Sequence, residues 1–333
     1  MNYFSFPPII LLSFFWLLAC STGPVQENPS SPYRDDLGVS ITGEKNQLGK
    51  GLQKPDILSQ VNSGSGPQLK TGRQFNKQKV KGVEPVIALA LGPGLYGVTG
   101  HISLLKLFQR NKTPIRIISG YGLASVVAAY YAMGVTPEII EWKFFKTLKA
   151  VAGLRPYSKK WLEIVDKYLL KYFKGKSIQN AKLVLGLPVY DGRRGKVVIK
   201  KRGDLHQILL ANLTLNNRVK GNRYQAAFQY DVFGQSDTLT KAADITIALN
   251  ALGSEVTFIE GSGFLVGVFG KAAALAHRNK VKSKLYFDLP VGATPLDSTK
   301  DISDYMRKCE LYGKEVTEKL DSYTAQWISE NKE

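Results

Sequence analysis

The sequence of 333 residues is 44% hydrophobic and 22% charged, which excludes a fibrous or wholly disordered chain. A net charge of +18 points to anionic partners: phospholipid head groups, acidic cell-wall polymers or nucleic acid. The three histidines (His101, His206, His277) are scattered, with no His-Glu-x-x-His motif and no zinc-spaced Cys/His cluster, so neither a metal nor a cofactor is expected.

The first predicted element is the stretch Ile9–Ala19, eleven residues with one hydroxyl and no charge. A bilayer-spanning helix needs roughly 20 such residues, so this one has the length of a signal-peptide apolar core instead. No Lys or Arg stands among the first eight residues. The stretch ends in Leu17-Leu18-Ala19-Cys20, which resembles the bacterial lipobox. That resemblance implies cleavage after residue 19 and acylation of Cys20. With Ser21 following, it also implies anchoring in the bacterial cell envelope at the outer membrane. Acylation of Cys20 leaves Cys309 unpaired, so no internal disulfide is expected. Residues 20–82 are rich in Ser, Gly, Pro, Gln and Asn and hold no sustained period of 2 or 3.6, which predicts a polar tether. A coil of about 60 residues has an r.m.s. reach of roughly 45 Å.

From residue 83 to 333 the pattern is that of one folded α/β body with a C-terminal amphipathic helix. Val86–Leu91 is an unbroken apolar run of strand length, followed by Gly92-Pro93-Gly94-Leu95-Tyr96-Gly97 and a helical pattern through Leu104, Leu105, Leu107 and Phe108. A glycine-rich loop between strand and helix lets backbone N–H groups converge on an anion. A second unit repeats the order: strand Ile115–Ile118, tight turn Ser119-Gly120-Tyr121-Gly122, and a small-residue helix from Leu123 to Met133 that Gly134 ends. A sharp strand-to-helix turn flanked by small residues is the geometry of a nucleophile elbow. Lys159–Phe173 reads as an amphipathic helix with a basic polar face. Arg193, Arg194, Lys196, Lys200, Lys201 and Arg202 place six positive charges within ten residues around a hairpin, a candidate contact for anionic lipid. No aromatic-interleaved motif accompanies them, which argues against nucleic acid. Gly261–Ala276 is apolar and glycine-rich but too short to span a bilayer, and reads as a buried loop and helix. Ile302, Met306, Cys309, Val316, Leu320, Tyr323 and Trp327 predict a long helix docked on the body, with Cys309 a buried structural thiol.

The two strand–loop–helix units, in this order and spacing, resemble the patatin-like phospholipase family. In that family a Gly-Gly-Gly-x-Arg/Lys-Gly loop forms the oxyanion hole, a Gly-x-Ser-x-Gly elbow supplies the nucleophile, and a downstream Asp-Gly-Gly or Asp-Gly-Ala completes a Ser/Asp dyad. The segments Leu183–Val189, Gly203–Ala211 and Asn250–Ile259 fit the resemblance, and counting back from Gly253 reaches Asp237 as the dyad position. The likeness spans roughly residues 83–325, strongest over 86–140 and weak over 212–245. It implies a mostly parallel central sheet flanked by helices, a three-layer sandwich.

The departures fall on the chemistry. The nucleophile position is Gly122, which has no side chain to acylate. In the oxyanion loop (Gly92, Pro93, Gly94, Tyr96, Gly97) Pro93 replaces a glycine and removes an N–H donor, and Tyr96 replaces the basic residue. Asp237 is followed by Thr238 and Leu239 rather than glycine. The expectation is therefore a membrane-anchored pseudoenzyme that binds lipid or a protein partner. The alternatives are a lipid acyl hydrolase using a displaced serine, Ser125 or Ser119, and a structural interaction module. An open apolar cleft beneath Gly92–Gly97 favours a binding role, whereas filling by Tyr96 or Tyr121 favours the structural one.

Overall fold

β1 (Ile87–Leu91) is buried at all five positions, because neighbours cover both its edges and both its faces. The computed structural model describes residues 84–215, 223–228, 242–253, 263–279, 285–292 and 296–331. The expected signal segment, the expected tether with Cys20, and Asp237 lie outside the described residues. After β1 come a 3₁₀ turn at Leu95–Val98, α1 (Thr99–Arg110), β2 (Ile115–Gly120) and α2 (Leu123–Ala132). The chain continues through α3 (Pro137–Val151), α4 (Lys159–Phe173), β3 (Val184–Asp191), β4 (Lys196–Lys200) and α5 (Leu205–Leu213). The later elements are β5 (Tyr224–Gln225), β6 (Ile245–Asn250), α6 (Gly263–Asn279), β7 (Leu285–Asp288) and α7 (Ile302–Asn331).

The described strands form one seven-stranded sheet in the order β4-β3-β2-β1-β6-β7, with β5 also pairing with β3. β1 runs parallel to β2 and β6, β2 to β3, and β6 to β7, while β4 and β5 pair with β3 antiparallel. This is an α/β fold with a mostly parallel central sheet flanked by helices. In a parallel sheet both faces are covered, so strands read as continuous apolar runs rather than alternating ones. The two faces differ in bulk. Ile87, Leu89 and Leu91 of β1 join Ile245, Ile247 and Leu249 of β6 in the large core. Ala88, Ala90 and Ala248 form a second cluster with Ile117 and with Ala276 of α6. Alanines on that face leave room for a helix to pack close to the strands.

α7 is 30 residues long, about 45 Å, and lies along α1. Two glycines sit at the crossing. A Cβ on Gly100 would stand 2.7 Å from Cys309 Sγ, and one on Gly313 would collide with Leu107. Tyr305 of α7 donates to the Gly97 carbonyl at 3.0 Å, and Ser103 of α1 donates to the Met306 carbonyl at 3.0 Å. Cys309 is fully buried, and burial pushes its thiol up to about 12, so it packs as an apolar side chain.

β1 is followed in the chain by β2 and β3 on one side of it, whereas β6 and β7 extend from the other. The connections from β1 to β2 and from β6 to β7 therefore run to opposite sides of β1. In open α/β sheets ligands bind outside the carboxyl ends of the strands at such a switch point.

Candidate functional site

Both glycine-rich turns lie at the carboxyl ends of the central strands. Gly122 sits between β2 and α2 with φ 51° and ψ −130°, a conformation that favours glycine. A sharp strand-to-helix turn of this kind is the geometry in which a nucleophile elbow would present a side chain, and glycine presents none. Gly120 is fixed by contact, since a Cβ there would strike the backbone of Ala124. The turn has the backbone shape of an elbow and carries glycine at its apex.

The space above Gly122 is filled. A Cβ at this position would lie 2.7 Å from Phe228 Cε1 and 3.1 Å from the Tyr157 hydroxyl. Phe228 packs against Phe269 of α6 with ring centroids 4.9 Å apart, and against Tyr157 at 5.9 Å. Tyr157 in turn packs on Trp161 at 5.0 Å. Phe228, Tyr157, Trp161 and Phe269 are all buried. They form an aromatic plug over the elbow. Tyr157 adopts φ 61°, a left-handed conformation uncommon for a bulky residue, and this turns its ring inward ahead of α4.

The loop after β1 is packed inward. Gly92 N–H donates to the Leu249 carbonyl at 2.7 Å, Tyr96 N–H to the Leu296 carbonyl at 2.9 Å, and Gly97 N–H to the Gly94 carbonyl at 2.7 Å. Pro93 has no N–H. These four positions therefore offer no donor aimed at a bound oxyanion, which needs N–H groups pointing into the site. A Cβ on Gly94 would lie 2.8 Å from the Ala251 carbonyl oxygen, so this loop rests on the turn after β6. His101, fully buried in α1, bonds the Gly92 carbonyl through Nε2 at 2.9 Å. Burial pulls its pKa down to about 4, the carbonyl opposing this in part, so the ring is neutral and donates.

Tyr96, which replaces the basic residue of the resemblance, is 3% exposed and accepts from Trp161 Nε1 at 2.9 Å. Burial raises its phenol to about 12, the Trp161 bond opposing, so it stays protonated at neutral pH. Tyr121 is equally buried. Beside Tyr96 a cleft of about 500 Å³ opens, lined by Tyr96, Leu154, Arg155 and Leu265 and by Asp297–Lys300. Tyr96 thus lines the cleft and is bonded to Trp161 of the aromatic plug.

The serines named as alternative nucleophiles are both buried. Ser125 Oγ donates to the Gly122 carbonyl at 2.6 Å, tying the first turn of α2 to the elbow. Ser119 lies within β2, in register between Ala90 of β1 and Gly186 of β3. The six basic residues around the hairpin divide in space. Arg193 and Arg194 lie in the turn with Lys196 beside it, and Lys200–Arg202 lie at the other end of β4, about 13 Å along an extended strand. Arg194 lies 3.8 Å from Asp191, which also takes Arg223, and Lys200 donates to the Tyr224 hydroxyl at 3.1 Å.

Phe228, Tyr157 and Trp161 were not visible as site residues in the sequence. Phe228 falls in the segment where the family likeness is weak, and nothing local marks an aromatic that will cover a turn so far back in the chain. Trp161 reads as one apolar position of an amphipathic helix. No known protein-family model matches this chain, and no curated protein sequence matches it.

Proposed function

We propose that this chain is a patatin-like pseudoenzyme, exported and anchored to the envelope membrane through acylated Cys20, whose body serves binding rather than acyl hydrolysis. The observation that carries the reading is Gly122: an elbow backbone with no nucleophile, covered by the Phe228 ring. Losing a serine nucleophile removes on the order of 10⁶ of turnover, and each missing oxyanion donor a further 10² to 10³. The Phe228 ring occupies the space that a nucleophile's side chain would enter, so the ligand or partner engages the outer cleft or the surface. A protein partner fits the filled elbow best. The cleft beside Tyr96 keeps a small or lipidic ligand as the second reading.

The test is esterase and phospholipase A activity of the full chain, beside Gly122→Ser, Gly122→Ser with Phe228→Ala, and Asp237→Ala. The parent and the Gly122→Ser chain are expected to show no turnover above background. Turnover by the parent that is abolished by Ser125→Ala or Asp237→Ala overturns the reading in favour of a displaced-serine hydrolase. Incorporation of a labelled fatty acid, lost on Cys20→Ala, tests the anchor separately.

A further inference from the structure

The α3–α4 hairpin carries a face that the fold does not use. Ile139, Trp142 and Lys146 follow one another on α3 at spacings of three and four, which puts them on one side of the helix. Ile139 is 48% exposed and Trp142 62%. Lys146 Nζ lies 5.2 Å from the centre of the Trp142 ring. Lys143, on the same side, reaches towards α4, with Nζ 4.6 Å from the Tyr172 ring. Lys176, just past α4, stands 3.6 Å from that ring. Lys171, on the last turn of α4, is exposed.

These four lysines crowd one another. The pKa of Lys143 is lowered by burial first and then by Lys171, Lys176 and Lys146. Among the described residues none of the four has a carboxylate partner. Glu141, the acid nearest along α3, is held by Lys106 on the α1 side at 2.6 Å. Like charges gathered without counter-charge raise the energy of the folded chain unless an external anion lowers it. The exposed Trp142 and Ile139 in the middle of the patch narrow that anion's nature. Tryptophan favours the boundary between head groups and hydrocarbon, and lysine stems extend along apolar surface with the ammonium kept in the polar layer. An acidic protein surface would pair with the lysines and leave the indole with no apolar layer to enter. An anionic bilayer supplies both layers in the right order.

We propose that the face formed by Ile139, Trp142, Lys143, Lys146, Lys171 and Lys176 docks on the head-group layer of an anionic phospholipid bilayer. The proposal rests on α3 and α4 alone and holds whether or not Cys20 is acylated or the elbow is silent.

The experiment uses the full chain with Cys20→Ser, so that no acyl group drives binding. Co-sedimentation is measured with vesicles of phosphatidylcholine and with vesicles containing phosphatidylglycerol, the first reporting any attachment by the rest of the chain. Binding specific to phosphatidylglycerol is expected, weakening as salt rises. Lys143→Gln, Lys146→Gln, Lys171→Gln and Lys176→Gln together should weaken it at least a hundredfold, since each lysine near an anionic surface contributes roughly a fivefold factor. Arg193→Gln with Arg194→Gln should leave it within about twofold of the parent. In a chain that also carries Trp16→Phe, which removes the indole of the N-terminal apolar stretch, brominated lipid should quench a tryptophan signal that Trp142→Phe removes. The exposed pair Lys146→Gln and Lys171→Gln serves where the fourfold variant does not fold. Unchanged binding by folded lysine variants overturns the proposal, as does quenching that survives Trp142→Phe. A parent that ignores phosphatidylglycerol but binds polyglutamate through these lysines overturns it in favour of an acidic protein partner.

Discussion

A side chain at residue 122 would meet two penalties at once. The backbone at φ 51° and ψ −130° disfavours any residue with a Cβ, by about 1–3 kcal/mol. The Phe228 ring already holds the volume that the Cβ would enter, and overpacking costs about 1–3 kcal/mol more. Gly122→Ala should therefore destabilise the fold by roughly 2–6 kcal/mol, read from urea unfolding. With Phe228→Ala in the background the same substitution should lose the overpacking part and keep the backbone part. An additive pair would mean that Phe228 does not cover the elbow. The histidine beneath the first loop gives a second residue-scale outcome. His101 has its pKa lowered to about 4, whereas an unfolded histidine titrates near 6.5. As pH falls below 6.5 the unfolded chain takes up the proton first. The contribution is complete above that pH and is lost progressively down to about 4. His101→Gln keeps a donor near the Gly92 carbonyl without a titrating ring. The variant should lose roughly 2–3 kcal/mol less than the parent between pH 7 and pH 4.5.

At the scale of elements, the α1–α7 seam shows how two helices are held close. A Cβ on Gly313 would strike Leu107 and lie 2.9 Å from Leu104 Cδ2. Leu107 is only half buried, so Gly313→Ala should cost about 1–3 kcal/mol rather than unfold the chain. Leu107→Ala in the same chain should recover part of that loss, a coupling that thermal unfolding of the four chains would measure. The seam also shows what a sequence makes legible. The helical spacing of Ile302, Met306, Cys309, Val316 and Leu320 is a local pattern, and α7 buries all five. β1 and β2 were equally plain, because an apolar run bounded by glycine says strand wherever both faces are covered. Gly122 could be placed by its spacing from β2. Phe228 could not, because packing over the elbow is decided by contacts between segments far apart in the chain. The basic hairpin is legible in the sequence, and the distance between its charges is not. Six charges adjacent in sequence are drawn apart by the extension of a strand, whereas Lys143 and Lys176, far apart in sequence, share the Tyr172 ring.

For the whole molecule the net charge of +18 acts against the fold, because like charges repel most when the chain is compact. The crowded lysines of α3 and α4 and the basic residues at both ends of β4 are local parts of that repulsion. Salt screens exposed charges over a distance that falls from about 10 Å at 0.1 M to about 3 Å at 1 M. Raising sodium chloride across this range should therefore stabilise the body by on the order of 1 kcal/mol, a rise in Tm of roughly 2–4 °C. The same salt should weaken docking on anionic vesicles, where screening removes attraction instead of repulsion. Folding and docking thus respond to ionic strength with opposite signs, and one titration that follows both separates them. A Tm that falls with salt would mean that attractive pairs such as Lys106–Glu141 and Arg223–Asp191 outweigh the excess of positive charge.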